Sequence, residues 1–252
     1  MTDHPPSNLA VPLGAKVASK EVDVGLRQFL LSVYNYMGFG LTLTGIVAYA
    51  AAESGLYASL TKTPLLLWGV VLAPLALVLF LSFRIEKMSL SAAKAAFWAY
   101  AGLIGLSLSG IFTVYTGASI ARTFFITAAT FLATSLYGYL TRRDLTSLGS
   151  FLGMGLVGII IASVVNFFLA SSVLQLAISI IGVIVFVGLT AYDTQRIKNI
   201  YLESDSTVVA GKKAIMGALA LYLDFINFFD AASASRKSAR LDCVINRDPR
   251  EA

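Results

Sequence analysis

Cysteine and histidine are nearly missing from this chain: Cys243 and His4 are the single examples in 252 residues, and both fall in polar end segments. One cysteine excludes a disulfide within the chain, and one of each argues against a His/Cys zinc or haem site. Charge is scarce too. Only 13% of residues are Asp, Glu, Lys or Arg, against about 25% in a soluble domain. With 57% hydrophobic residues and a mean hydropathy of +0.78, the composition is that of a polytopic membrane protein. The formal charge of +5 would also suit nucleic acid. In a chain this apolar the basic residues read as loop charges that set topology, and no nucleic-acid partner is expected.

What is present in quantity is long apolar runs. A helix needs about 20 apolar residues to cross a bilayer. Six runs qualify, at 28–52, 64–83, 95–115, 123–140, 146–169 and 172–192, and a seventh, 214–229, is short. The first is too long for the core of a signal peptide, ~7–15 residues, so it reads as the first membrane helix. The expected fold is all-α, a helical bundle in the lipid bilayer. Its expected parts are a disordered cytoplasmic tail over 1–26, one transmembrane domain over 27–230 and a basic C-terminal tail over 231–252. No short repeat is visible.

Loop charges give an orientation. Lys16, Lys20 and Arg27 precede the first run; Arg84, Lys87 and Lys94 lie between the second and third; Arg142 and Arg143 between the fourth and fifth; Arg196, Lys198, Lys212 and Lys213 between the sixth and seventh. The alternate loops hold only Lys62 and Arg122. The positive-inside rule then puts the N-terminus in the cytoplasm. The seventh run resists this scheme. If it spans, a tail with Arg236, Lys237, Arg240, Arg247 and Arg250 ends outside; if it re-enters, it must be covered by protein. Both readings stay open. Small residues, Gly102, Gly105, Gly149, Gly153, Gly155 and Gly158, mark close helix approaches, above all the Gly149-xxx-Gly153 spacing. Asn166 and Gln175 read as interhelical hydrogen-bonding groups or as residues near the outer surface.

Two carboxylates stand out against this background. Asp193 lies in GLTAYDTQRIKNI and Asp224 in ALYLDFINFF. A charge at the bilayer centre costs about 2.5–3.5 kcal/mol on insertion scales. Asp193, with Arg196 and Lys198 after it, also reads as a headgroup residue; Asp224 has no basic neighbour in sequence. If the sixth helix runs to Ile200, Asp193 lies about 10 Å above its end, and Asp224 about 16 Å above Lys213. The two can therefore meet on antiparallel neighbours. Two such carboxylates cannot both ionise at low cost, so the pair is expected to share a proton over part of the pH range. Ionised, they are hard oxygen ligands. Calcium wants six to eight of these, so two carboxylates with water make a weak, transient calcium site suited to passage. Arg84 is a candidate latch on the pair, though an ordinary topology charge is the preferred reading from sequence.

The stretches FFITAATFLATSLYGYLTRRDL, GIIIASVVNFFL, IGVIVFVGLTAYDTQRIK and ALYLDFINFF resemble the Bax inhibitor family, the transmembrane Bax inhibitor motif proteins, in its bacterial branch. The resemblance covers about 27–229. It implies seven helices with the last one central, and a pH-sensitive calcium leak channel gated by two aspartates that match Asp193 and Asp224. It also implies a latch arginine, for which Arg84 is the match. The chain departs from the family pattern after FINFF, where DAASASRKSAR replaces an apolar continuation.

The expected function is thus a proton-gated calcium leak, in the bacterial inner membrane, with calcium as the transported ion and no cofactor. An intramembrane aspartyl protease would also share a proton between two aspartates. Asp224, however, lacks a GxGD context, and no Pro-Ala-Leu triplet is present, so no enzyme activity is expected. The alternative is a non-conducting membrane interaction protein that modulates a membrane protease or stress pathway through a protein partner.

Overall fold

Helices need partners for their ends as well as their faces, and this chain supplies both. The structure, a computed structural model, describes residues 13–245, with side chains from 24 to 236. Residues 1–12 and 246–252, and with them His4, lie outside the described residues, as does the side chain of Cys243. Among the described residues every regular element is helical. In chain order they are α1 (Leu13–Glu53), α2 (Leu56–Thr61), α3 (Pro64–Arg84), a 3-10 turn (Ile85–Lys87), α4 (Leu90–Leu108), α5 (Ile111–Val114), α6 (Gly117–Leu140), α7 (Thr146–Leu169), α8 (Ser172–Asn199) and α9 (Thr207–Ile245). Among the described residues seven segments are long and apolar enough to cross a membrane, from Val24–Glu53 to Thr207–Arg236.

Hydroxyl caps start several of them. Ser89, Thr116 and Ser171 each accept from the backbone N–H three residues on, at 3.2, 3.3 and 3.3 Å. Such caps contribute about 1 kcal/mol each. Pro64 opens α3, where no N–H is needed. A second proline, Pro74, sits inside that helix and cannot donate to the carbonyl of Val70. Ser107 on α4 donates to that carbonyl instead, at 2.8 Å, the kind of repair that lets proline persist in a membrane helix. Asn166 and Gln175 close the turn between α7 and α8: Asn166 Nδ2 donates to Gln175 Oε1 at 3.0 Å and Ser171 N to Asn166 Oδ1 at 3.1 Å.

The last helix is the centre of the bundle. It packs against α8, α1, α6 and α4, while α7 leans on α8 and α3 on α4. Within its membrane-spanning window 61% of residues are buried, against 11% for Pro64–Lys87. Tyr222 is fully buried there and meets Phe97 and Tyr100 edge-on, with ring centroids 6.1 and 5.6 Å apart. One turn on, Phe225 meets Phe124 and Phe131, each at 5.6 Å.

Two segments differ from the sequence reading. The segment read as a tail over 1–26 is helical from Leu13, because α1 begins there. The seventh segment is not short: α9 runs unbroken for 39 residues from Thr207 to Ile245, past the end of the apolar run, and is long and apolar enough to cross a membrane. Its outer part, Ala231 to Arg236, is buried or half-buried. Small and polar residues serve there because their neighbours are protein rather than lipid.

Candidate functional site

Helices α8 and α9 run antiparallel, and their register can be followed residue by residue. Lys213 Nζ donates to the carbonyl of Ile200 at 3.0 Å and pairs with Asp205 at 2.5 Å. Next along the seam Ile197 covers Gly217, and Gly182 faces Ala231 further out. Between these points the seam brings Asp193 and Asp224 together. Their carboxyl groups stand within hydrogen-bonding reach of each other. An ionised carboxylate only accepts, so this contact is a hydrogen bond only while the pair holds a proton.

The two carboxyls differ in surroundings. The side chain of Asp193 is 15% exposed and its Oδ1 lies 4.0 Å from Nη1 of Arg196, one turn on, whose own side chain is 65% exposed. A pair so open to solvent contributes at most about 1 kcal/mol. Asp224 is 5% exposed, and its Oδ2 is buried without a hydrogen-bond partner among the described residues. Such an oxygen is costly to leave unmet, which marks it as a place for a proton or a cation. Among the described residues no third His, Cys, Asp or Glu joins the pair. Two carboxyls supply at most four of the six to eight oxygens calcium prefers. The donor set therefore fits a partly hydrated ion in passage and does not fit a tightly held one.

The frame around the pair is polar in a way that spacing alone did not announce. Thr194, next to Asp193, exchanges a hydrogen bond of 2.9 Å with Ser135 of α6, and Ser135 bonds Tyr34 of α1. Gln195 pins the α6–α7 loop, accepting from Leu145 N at 2.9 Å and donating to the carbonyl of Arg143 at 2.8 Å. Gly149 lies against the ring of Tyr192, so that half of the Gly149-xxx-Gly153 spacing is a contact, while Gly153 faces open space. The tightest approach to backbone is at Gly138, where a side chain would collide with the carbonyl of Ala191, two residues before Asp193. Gly138→Ala is expected to push α6 off α8 and to lower stability by about 1–3 kcal/mol. A thermal midpoint of the purified protein in detergent that equals wild type would refute this contact.

Arg84 is not part of this constellation. It ends α3 on an exposed surface and makes no ion pair among the described residues. Among the described residues the cation that pairs with Asp193 is Arg196.

A family model described as inhibitor of apoptosis-promoting Bax1 matches residues 26–231. The chain belongs to the Bax inhibitor family. Its family relatives are bacterial membrane proteins. Inner membrane protein YbhL of Escherichia coli K12 is 50% identical over 208 residues, covering 81% of this chain and 89% of YbhL. An uncharacterized protein of Rickettsia prowazekii is 50% identical over 214 residues, 84% of this chain and 89% of its own length. An uncharacterized membrane protein of Streptococcus pyogenes is 36% identical over 210 residues, 82% and 91% respectively. The match to the Bax inhibitor family ends at Ala231, one residue past Asp230, where the sequence turns polar although α9 goes on.

Proposed function

We propose that this Bax inhibitor family protein is a pH-sensitive calcium leak of the bacterial inner membrane, gated by the proton that Asp193 and Asp224 share. One observation carries the reading: two carboxyls from neighbouring helices meet inside the bundle, and one buried oxygen of the pair has no hydrogen-bond partner among the described residues. Protons and calcium compete for the same oxygens. Binding there stays weak enough for release, because the rest of the ion's shell is water. The reading requires no catalytic step and no resident cofactor. Its test is calcium flux into proteoliposomes across about pH 5 to 8, which lies above the ordinary aspartate value of about 4. Absence of flux at every pH would leave a non-conducting interaction protein in its place.

The topology that goes with this reading has the N-terminus in the cytoplasm, from the loop charges, and seven spans. An odd number of spans separates the ends. A reporter fused at the N-terminus is therefore expected to read cytoplasmic, and one fused after Arg236 to read external. A cytoplasmic reading at the second position would mean that α9 does not cross.

For Arg84 the expected result is a null effect. Because Arg196 already stands beside Asp193, Arg84→Ala is expected to leave flux at neutral pH within about twofold of wild type, a change of under 0.5 kcal/mol. A clearly raised leak would instead establish the latch that the family resemblance implies.

A further inference from the structure

Helices α1 and α6 both pack on α9 but scarcely touch each other. The crevice between them contains two adjacent cavities, of about 550 and 570 Å³, which share Tyr34 and Leu132 as wall residues. A third, of about 110 Å³, continues toward the opposite end of the bundle. The walls are apolar. Leu31, Leu132, Leu136 and Ile46 along them are more than half exposed, so the crevice is open sideways to the bilayer. Its basic end is different. Arg27 and Tyr139 line it there. Lys198 lies against Tyr139, its ammonium 4.9 Å from the centre of the ring and donating to the carbonyl of Tyr139 at 2.9 Å.

We propose that this crevice holds one anionic phospholipid, drawn from the leaflet at the basic end of the bundle. The headgroup phosphate sits between Arg27 and Lys198, and one acyl chain lies along the floor past Tyr34. Three things favour this occupant. A basic pocket between transmembrane helices, at the level of the headgroups, is the ordinary recognition device for acidic lipid heads. The length fits: Gly38 lies eleven residues from Arg27, about 16 Å along α1, close to half of a hydrocarbon core of about 30 Å. Finally, the crevice floor is left bare where a chain would pass, since a side chain added at Gly38 would meet no protein atom within 4 Å.

The site also reaches the aspartates. Tyr34, on the crevice wall, begins the hydroxyl chain through Ser135 to Thr194, the neighbour of Asp193. A lipid that presses on Tyr34 therefore bears on α8 at the pair. Only this last step rests on the proposed channel reading; the lipid site itself does not.

The test is lipid retention, read by native mass spectrometry of the purified protein given equal amounts of phosphatidylglycerol and phosphatidylethanolamine with the same chains. Wild type is expected to keep one phosphatidylglycerol at least fivefold more often than phosphatidylethanolamine. Arg27→Gln combined with Lys198→Gln should bring the two lipids to parity. Gly38→Leu should cut retention of phosphatidylglycerol fivefold or more with the thermal midpoint unchanged, because the new side chain fills only the crevice. Gly45→Leu, about 27 Å from Arg27 and so in the opposite leaflet, should leave retention as in wild type. Equal retention of the two lipids by wild type would overturn the proposal. So would indifference to Gly38→Leu, or equal losses from Gly38→Leu and Gly45→Leu. Calcium flux is not needed for any of these readings, so loss of the channel reading and loss of the lipid site remain separate outcomes.

Discussion

Asp224→Asn is expected to flatten the pH dependence of calcium flux, bringing the fluxes measured at about pH 5.5 and 7.5 to within roughly twofold of each other, under 0.5 kcal/mol apart. The substitution keeps the shape of the side chain and removes its titration. Asp193 then faces an amide that carries no charge at any pH, so the sharing of a proton between two like groups is gone. Asp193→Asn should do the same from the other side, and the double substitution should add little, because members of one network are not additive. Infrared difference spectroscopy offers an independent reading: in each single mutant the titration of the surviving carboxyl should move. If it stays where it was, the two aspartates do not act as a pair, whatever the flux shows.

Tyr222→Ala should be the most damaging single change to stability, costing about 3–5 kcal/mol as large-to-small changes of a buried aromatic do. The ring is fully buried and edge-packed against Phe97 and Tyr100, so the cavity would lie where α9 meets α4. Tyr222→Phe separates packing from hydrogen bonding. Thr44 Oγ1 lies 3.0 Å from the carbonyl of Gly40, 2.9 Å from that of Ala101 and 2.6 Å from Tyr222 Oη. Its one proton goes to a carbonyl, so the tyrosine donates to it. In the phenylalanine variant Thr44 keeps a carbonyl acceptor, and the loss should be only about 1 kcal/mol. Thermal midpoints in detergent for the two variants would test the ordering. Equal losses would mean that the hydroxyl, and not the ring, holds α9 in place.

Hydropathy reports contact with lipid, and that explains which elements could be read from the residues. The first six spans face the bilayer, so their sequences had to be apolar over about 20 residues, and each was legible. The seventh is surrounded by protein. The segment from Ala231 to Arg236 contains no residue that a membrane would demand, yet Ser233 is 4% exposed and Tyr115 donates to its carbonyl at 3.1 Å. A helix whose outer half is sheltered in this way looks like a tail in sequence. Asp193 and Asp224 were legible for the opposite reason: a carboxylate in apolar surroundings is costly, and the common loop fixed their relative depth. The supports were not. Ser135, Thr194 and Tyr34 sit on three helices, far apart in sequence, and serine or threonine in a membrane helix is unremarkable because it can bond its own backbone. Gly138 carried no more signal than Gly153, yet one meets a carbonyl and the other meets nothing.

The placement of α9 at the centre of the bundle has a consequence for biogenesis. The span with the largest buried share is also the last of the described helices to be synthesised. Until it arrives, the six preceding spans lack the helix on which α1, α4, α6 and α8 all pack, and the faces that will cover Tyr222, Asp224 and Phe225 are lined only by whatever lipid or water occupies the gap. A nascent chain stopped before Ala214 is therefore expected to be an inserted but uncompacted shell, recognisable to membrane quality-control proteases. Consolidation then waits for α9, in a single late step of docking rather than helix by helix.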